Sequence, residues 1–169
     1  MKAIRLLVIL GYAGFVIGWW MGLRIVTTPS VPRGLYTTHG LRSFGDLERG
    51  ALVCVRALSD YAPKALHDVV IENDLPVTWI KEVAGLPGDL VTHATGPDRL
   101  EVNGNGLAYS SLLSTDSQGR TLPVQSFPTR LAPGEVWLSS RHERGYDSRY
   151  FGPVDMRAVN CIAEPLWIL

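Results

Sequence analysis

The sequence predicts a mainly β protein of antiparallel strands that follows one N-terminal transmembrane helix. Short apolar segments that alternate with polar residues are separated by Gly, Pro, Asn and Ser, which is the pattern of antiparallel strands and turns. The dipeptide Asn103-Gly104 lies between apolar positions within residues 100–109 and is a strong signal of a β-hairpin. An almost unbroken apolar run at residues 6–23 has about the minimum length for a helix that crosses a bilayer.

Length and charge restrict the class of protein. The 169 residues suit one domain, and 16 basic residues balance 16 acidic ones. A net charge of zero argues against a nucleic-acid partner that is attracted by charge. No CxxC motif or His/Cys cluster suggests a metal, and no cofactor is expected. Cys54 and Cys161 lie in apolar strand-like segments, where two buried free thiols are expected at least as much as a disulfide.

The apolar run is interpreted as a retained membrane anchor. It ends near Trp19 and Trp20, which suit the interface between bilayer and water. A cleaved signal peptide is the alternative, but no convincing small-x-small cleavage site precedes the domain. Basic residues on both sides of the run give a weak preference for a cytoplasmic N-terminus. We therefore expect a single-pass anchor at residues 1–25 in the cytoplasmic (inner) membrane, with a domain at residues 26–169 in the periplasm.

A stiff loop that presents one serine follows the anchor. Ser30 lies between Pro29 and Pro32, so two nearby φ angles are restricted and the residue before each proline is held extended. Gly34 then permits a turn. From this stretch alone, the alternative is a proline-rich linker between anchor and domain.

A lysine on an apolar strand face is the most informative feature of the chain. Residues 77–83 alternate, which puts Lys81 on the same side as Val77, Trp79 and Val83. An ammonium among apolar neighbours loses its proton more easily, and a neutral lysine is a base. The alternative is an edge-strand lysine whose aliphatic stem covers apolar surface while its amine reaches water.

The other elements are assigned by the same signals. Gly and Pro residues at 85–88 predict a turn before the next strand. The segment at about residues 92–133, rich in Ser, Thr, Gly and Pro towards its end, predicts a loop-rich insertion. The remaining predictions are a buried strand within residues 46–57, a strand at 135–139, a polar loop at 141–152 and a closing strand at 154–163. A short helix is expected within residues 59–67, either broken or started at Pro63.

Ser30 and Lys81 form a natural pair of candidates for nucleophilic catalysis. A serine hydroxyl is a poor nucleophile until a neighbouring base takes its proton, and no histidine of this chain lies in a comparable motif. A lysine can act as that base when it is desolvated or lies near another cation.

Three segments resemble the boxes of a known family. IKEVAGLPGDLV (residues 80–91) resembles the lysine box of type I signal peptidases, and DSRYFGPV (147–154) resembles their Asp-Ser-Arg box. SVPRGLY (30–36) is similar to the serine box of the TraF-type conjugative transfer peptidases, relatives that mature a pilin subunit and join its ends. The boxes occur in the family's order. The resemblance implies the barrel-like, antiparallel β fold of the signal peptidases.

The resemblance also implies roles for individual residues. Ser30 matches the nucleophile and Lys81 the general base. The backbone N–H of Ser30 and the hydroxyl of Thr28 match the two donors of the oxyanion hole. Asp147 matches an aspartate that the family needs near the site, where its ion pair with Arg149 is expected to hold the final loop. A surface turn salt bridge of little energetic value is the alternative for this pair.

Two positions depart from the family pattern. Signal peptidases carry Gly-Asp where this chain has Ser139 and Ser140, and they commonly carry a serine that orients the lysine where this chain has Gly145. If Lys81 needs a second hydroxyl partner, we expect it to come from elsewhere, with Ser139 and Ser140 as the candidates.

The leading interpretation is a membrane-anchored serine–lysine endopeptidase that processes a secreted precursor through an acyl-enzyme on Ser30. The resemblance implies a conjugative pilin subunit as substrate, head-to-tail cyclisation as a possible outcome, and other proteins of the conjugation apparatus as further partners. One alternative is a general type I signal peptidase that removes leader peptides, against which the serine box and the short insertion argue. The other is a catalytically silent envelope scaffold, supported only by the altered last box.

Overall fold

The computed structural model describes residues 2–72, 78–94 and 99–169. The helices are α1 (Lys2–Trp20), α2 (Lys64–Glu72) and α3 (Ser148–Phe151). The strands are β1 (Leu23–Val26), β2 (Gly34–Gly40), β3 (Leu52–Arg56), β4 (Thr78–Gly85), β5 (Leu90–His93), β6 (Leu100–Val102), β7 (Asn105–Gly106), β8 (Thr129–Arg130), β9 (Glu135–Ser139), β10 (Val154–Asp155) and β11 (Val159–Ile168).

The strands form two sheets in which neighbouring strands are antiparallel. The larger sheet has the order β1-β2-β11-β3-β4-β9-β10, and the smaller has the order β7-β6-β5-β8. The prediction of a mainly β, antiparallel fold is therefore confirmed. Among the strands that the structure describes both sheets are open, so the barrel-like closure implied by the resemblance is not found there.

Three apolar clusters hold these layers together. The first packs α2 and α3 against the larger sheet through side chains that include Leu66 and Phe151. The second joins the two sheets, with Trp137 of β9 against Val91 of β5. The third lies beneath the connection between β1 and β2 and contains the buried side chain of Val31. Each cluster removes apolar surface from water, and the third does so directly beside Ser30.

The apolar N-terminal run is divided between a helix and a strand. α1 ends at Trp20, Gly22 has a φ of 89°, and β1 begins at Leu23. A Cβ atom on Gly22 would collide with the carbonyl oxygen of Thr38 in β2, so this corner requires a glycine. Across the described ranges, no helix is both long and apolar enough to cross a bilayer, so the predicted transmembrane helix is not found.

The predicted insertion supplies most of the second sheet. Within residues 92–133, the part that the structure describes contains β6, β7 and β8, which pair with β5 or with each other. The predicted hairpin at Asn103-Gly104 is confirmed, with φ values of 53° and 78° that suit its turn. Within this predicted hairpin, buried Leu100 and Val102 pack in one apolar cluster with Trp137 of the larger sheet.

Three predicted boundaries also differ from the structure. The short helix starts directly after Pro63, which is one of the two possibilities left by the sequence, but it continues beyond residue 67 to Glu72. The loop at 141–152 contains the buried helix α3, and the closing strand begins at Val159 and continues through the apolar tail to Ile168. Val77, predicted on the face of Lys81, lies outside the described residues.

A disulfide joins Cys54 of β3 to Cys161 of β11. The two residues are direct partners in the antiparallel register, and their Cα atoms are 5.0 Å apart. This distance lies within the range that a disulfide requires. The sequence left free thiols and a disulfide as alternatives, and the pairing of the two strands decides between them.

Candidate active site

Ser30 lies in the connection between β1 and β2, and contacts on both sides hold that connection. Its carbonyl oxygen accepts a hydrogen bond from the backbone N–H of Arg141 over 2.7 Å. The buried hydroxyl of Tyr36 donates to the carbonyl oxygen of Pro32 over 2.6 Å. Val31 is buried in the cluster beneath the connection. These contacts, together with the two prolines, restrict where the Ser30 hydroxyl can lie.

The glycine of the serine box is required by the last strand. A Cβ atom on Gly34 would collide with the carbonyl oxygen of Trp167 and would lie 3.0 Å from the Cα atom of Ile168. The N–H of Leu169 donates to the carbonyl oxygen of Arg33 over 2.9 Å. The C-terminal end of the chain therefore packs directly on the backbone that follows Ser30.

Lys81 projects from the middle of β4 into the protein interior, and the structure brings it to Ser30. Its side chain shares a face with Trp79 and Val83, as the alternation predicted, and only 3% of the residue is exposed. The Nζ atom donates to Oγ of Ser30 over 3.2 Å and to Oγ of Ser140 over 2.8 Å. The edge-strand alternative, in which the amine reaches water, does not fit this burial.

The surroundings of Lys81 favour its neutral form. Burial lowers the pKa of the Lys81 amine to about 8, the negative charge of Asp147 opposes that change, and the positive charge of Arg149 adds to it. A desolvated ammonium is unfavourable, so burial releases the proton more readily. At mildly alkaline pH a large share of Lys81 is therefore unprotonated and able to accept a proton from a hydroxyl 3.2 Å away.

The ion pair expected between Asp147 and Arg149 is present, and it is buried rather than superficial. Two guanidinium nitrogens of Arg149 donate to the carboxylate of Asp147 over 2.8 and 2.9 Å, and both side chains are 2% exposed. The carboxylate also accepts the N–H of Ser140 over 3.0 Å. The remaining guanidinium bonds go to the carbonyl oxygens of Ser111, Glu143 and Gly145. The pair thus ties two loops, at residue 111 and at residues 143–145, to the strand end beside Lys81.

One of the two departures from the family pattern supplies a second hydroxyl partner for Lys81. Ser140 is the hydroxyl that contacts Lys81, while Ser139 pairs with Glu82 and shares the opposite face of the sheet. Strand alternation distinguishes the two serines. Val136 and Leu138 point to the buried face of β9, and Ser140, two residues further, continues that alternation. From the sequence alone, both serines were candidates for this contact with Lys81.

Three further residues support the site, and only Arg141 among them was not marked by the sequence. Tyr36 and Gly34 belong to the serine box, and their spacing from Ser30 is the signal that marked them. Arg141, whose N–H holds the Ser30 carbonyl, also forms an ion pair with Glu82 of β4. No local pattern marks Arg141, since its contact depends on β9 lying next to β4.

Thr28 lies at an exposed position in the turn two residues before Ser30. The role of its hydroxyl as an oxyanion donor stays a prediction. Among the described residues, no group of three or more His, Cys, Asp or Glu side chains is arranged to hold a metal ion.

A cavity of about 780 Å³ is lined by neighbours of the candidate dyad but not by Ser30 or Lys81 themselves. Trp79 and Gly145 line it at the dyad side: the Trp79 ring centre is 5.2 Å from Lys81 Nζ, and Gly145 touches Ser140. Its other walls are α2, residues 113–123 and residues 144–150. The volume is within the range of natural ligand sites, and it accommodates several residues of an extended peptide.

Comparison with known proteins gives concordant matches. The family model described as "Signal peptidase, peptidase S26" matches residues 2–167. The "Conjugal transfer protein TraF" of Agrobacterium fabrum (strain C58 / ATCC 33970) is 32% identical over 169 residues, covering 94% of this chain and 93% of that protein. A "Plasmid transfer protein TraF" of Escherichia coli is 31% identical over 152 residues, covering 86% and 82%. A signal peptidase I from Enterococcus faecalis V583 has a crystal structure that matches with a TM-score of 0.39 and 21% identity, over 75% of this chain and 99% of that one.

Proposed function

The chain belongs to the peptidase S26 family of signal peptidases, and on that premise we propose that it is a serine–lysine endopeptidase that processes a secreted precursor in conjugation. Family membership makes it a peptidase of the signal peptidase type, and its relatives are conjugal transfer proteins. The dyad, the substrate and the fate of the acyl-enzyme are the parts that we propose. The observation that carries the dyad is the 3.2 Å contact from Lys81 Nζ to Ser30 Oγ, made by a buried amine.

In the proposed reaction Lys81 acts as general base and then as general acid. Neutral Lys81 takes the proton of the Ser30 hydroxyl while Oγ attacks the scissile carbonyl carbon. The oxyanion of the tetrahedral intermediate accepts hydrogen bonds from the Ser30 N–H and the Thr28 hydroxyl. Lys81 then gives its proton to the leaving amine, and an ester on Ser30 remains. A water molecule activated by Lys81 cleaves the ester and restores the enzyme.

Matched substitutions test the dyad. Ser30→Ala and Lys81→Met should each abolish processing of the precursor and leave the circular dichroism spectrum unchanged. Lys64→Met is the control, because Lys64 is an exposed lysine on α2 that pairs with Asp68. A silent scaffold would tolerate all three changes, so normal processing by Ser30→Ala would exclude the peptidase proposal.

We assign the substrate polypeptide to the cavity beside the dyad. Two of its lining residues are neighbours of the site: the ring centre of Trp79 is 5.2 Å from Lys81 Nζ, and Gly145 packs against Ser140. We propose that a chain bound in the cavity extends past these two residues to Ser30. Glu72→Trp, on the cavity wall, should raise KM about tenfold, a loss of about 1.4 kcal/mol of binding. Ile71→Trp is the control, because Ile71 is the neighbouring, exposed residue outside that wall. Equal KM values for the two variants would contradict the assignment.

The substrate that we propose is the pilin precursor of a conjugation apparatus. The support is the relation to proteins named for conjugal and plasmid transfer, together with the serine box at residues 30–36. Mass spectrometry of the candidate pilin, from cells with and without this protein, tests the proposal. An identical mass in both cells would contradict it.

We also propose that an amine competes with water for the acyl-enzyme. Water is abundant, so an amine succeeds only when it is held at high effective concentration. The N-terminus of the same pilin chain meets that condition if it folds back to the cleavage point, and the product is then cyclic. A cyclic pilin is lighter by one water than the trimmed linear chain and has no free α-amine. A product with the linear mass would refute cyclisation and leave the peptidase proposal standing.

For localisation we propose attachment to the cytoplasmic membrane, with the peptidase region in the periplasm. α1 exposes apolar side chains, among them Leu7 and Trp20, which suit a lipid environment. The Cys54–Cys161 disulfide is typical of an oxidising compartment. Alkaline carbonate extraction tests the membrane attachment, and a protein released by carbonate would contradict it. Protease accessibility in spheroplasts tests the periplasmic location, and a fully protected protein would contradict that. Other conjugation proteins stay expected partners.

A further inference from the structure

The amine of Lys81 contacts two hydroxyl groups, and the nearer one does not belong to the nucleophile. Nζ lies 2.8 Å from Oγ of Ser140 and 3.2 Å from Oγ of Ser30. Ser140 is 2% exposed. A buried hydroxyl that accepts a hydrogen bond from the amine limits the rotation of the long lysine side chain.

The backbone around Ser140 is fixed from two directions. The N–H of Ser140 donates to the carboxylate of Asp147 over 3.0 Å, and that carboxylate is held by Arg149. The next residue, Arg141, donates its N–H to the carbonyl oxygen of Ser30 over 2.7 Å. Two consecutive residues therefore contact both members of the dyad. The Ser140 side chain holds the amine of Lys81, and the Arg141 N–H holds the backbone of Ser30.

Gly145 is packed directly against this hydroxyl. A Cβ atom on Gly145 would overlap the Cβ and Oγ atoms of Ser140, and it would lie 3.0 Å from the carbonyl oxygen of His142. The backbone of Gly145 is not among the positive-φ glycines, so its conformation alone does not forbid a side chain. Side chains at positions 140 and 145 thus compete for the same small volume beside Lys81.

We propose that Ser140 is the positioning residue of Lys81, and that positions 140 and 145 share a single hydroxyl site which a serine at either one, but not at both, can fill. This inference rests on the proposed peptidase function. The neutral amine donates one N–H to the shared hydroxyl, and its lone pair then faces the Ser30 hydroxyl. The exchange explains why this chain combines Ser140 with Gly145, where signal peptidases commonly carry a serine at the second position.

The chemical consequence is a loss of turnover without a loss of substrate binding. Ser140→Ala should lower kcat roughly 10- to 100-fold, as found for other groups that orient a reacting side chain, with KM near the wild-type value. The ammonium form of Lys81 also loses a hydrogen-bond acceptor, so the midpoint of the pH–rate profile should move below the wild-type midpoint. A purely structural serine would change neither the midpoint nor the split between kcat and KM.

The decisive experiment exchanges the two residues in the full-length protein and follows processing of the pilin precursor. Ser140→Gly combined with Gly145→Ser should restore turnover to within a few-fold of wild type. Ser140→Gly combined with Gly145→Ala has nearly the same volume but no hydroxyl, and it should stay as slow as Ser140→Ala. The protein with Gly145→Ser alone should unfold at a lower temperature than wild type, because the side chains at positions 140 and 145 would overlap. Ser139→Ala, on the opposite face, is the control with normal kinetics.

Each result bears on a distinct claim. If Ser140→Ala has wild-type kcat and the wild-type pH midpoint, Ser140 is not a positioning residue. If the two double variants fold and are equally active, or equally slow, the shared hydroxyl site is wrong. If Ser30→Ala processes the precursor as well as wild type does, the proposed function fails, and its failure is recognised before any variant at position 140 is compared.

Discussion

At the residue scale, the site depends on a lysine and a carboxylate–guanidinium pair that are all removed from water. The burial of Lys81 favours the loss of its proton. The Asp147–Arg149 pair is also buried, and each of its two groups has several hydrogen-bond partners. Removal of one partner would leave the other group buried and unpaired, which is strongly destabilising.

The first prediction concerns the pH dependence that Lys81 confers. Activity should rise with pH through about 8, because only the neutral amine accepts the Ser30 proton. The folded-state pKa lies below the ordinary value of 10.5, so between about 8 and 10.5 the unfolded chain binds the proton more tightly. The free energy of unfolding should therefore increase with pH across that interval. Rate measurements and urea unfolding at several pH values check both trends.

Two variants control this first prediction. Lys81→Arg should be inactive at every pH, since a guanidinium stays protonated. Lys81→Met should lose the increase in unfolding free energy above pH 8. An active Lys81→Arg enzyme would rule out the general-base assignment.

A second prediction at this scale concerns Thr28. Thr28→Val keeps the shape of the side chain but removes its hydroxyl, so turnover should fall about 10- to 1,000-fold if the hydroxyl binds the oxyanion. KM should change little, because the contact forms only in the transition state. Steady-state kinetics distinguish the two parameters, with Thr27→Val as the neighbouring control. Normal turnover in Thr28→Val would leave the oxyanion to backbone groups alone.

At the element scale, the position of Ser30 depends on strands from both ends of the chain. β1 and β2 flank its loop, and β11 packs on the far side of β2. The antiparallel pairing of β2 with β11 puts the backbone of Trp167 against Gly34. The C-terminal strand therefore supports the serine box, although more than a hundred residues separate them.

The third prediction tests that support. Gly34→Ala should lower the free energy of unfolding by about 1–3 kcal/mol, because the added methyl group has no space between β2 and β11. Processing should slow as well, since the strain falls on the serine box. Gly40→Ala is the matched control at the other end of β2, where a Cβ atom meets nothing within 4 Å. Equal stability of the two variants in urea unfolding would contradict the prediction, because it would mean that β11 makes space for the methyl group at no cost in free energy.

At the scale of the whole molecule, a disulfide closes the chain across the larger sheet. Cys54 and Cys161 are 107 residues apart in sequence. The loop between them contains Lys81, Ser140, Asp147 and Arg149. A cross-link that closes a loop of this length removes many conformations from the unfolded chain.

The fourth prediction concerns that cross-link. Cys54→Ala combined with Cys161→Ala should lower the free energy of unfolding by about 2–5 kcal/mol. Reduction of the wild-type protein should have a similar effect, whereas the double variant should not respond to a reductant. Urea unfolding with and without dithiothreitol measures both. A wild-type midpoint that reductant leaves unchanged would mean that the disulfide contributes nothing to stability.

The sequence by itself determined the class of fold, the strand that carries Lys81 and the face from which its side chain projects. These features are local, since alternation and turn residues are properties of a few neighbouring positions. The stiff proline-flanked loop singled out Ser30 locally, whereas Asp147 and Arg149 became candidates only through the resemblance of residues 147–154 to the family's Asp-Ser-Arg box. Local reasoning went wrong where burial depends on distant partners: residues 148–151, predicted as part of a polar loop, form the buried helix α3, and Phe151 of that helix packs in the cluster on the larger sheet.

Only the tertiary structure decided which candidates meet. The contact between Ser30 and Lys81, the choice of Ser140 over Ser139 and the bond between Cys54 and Cys161 all depend on the strand order β1-β2-β11-β3-β4-β9-β10. In that order the neighbours are mostly distant in sequence, and their arrangement is set by the burial of apolar side chains from the whole chain at once. No window of neighbouring residues contains that information.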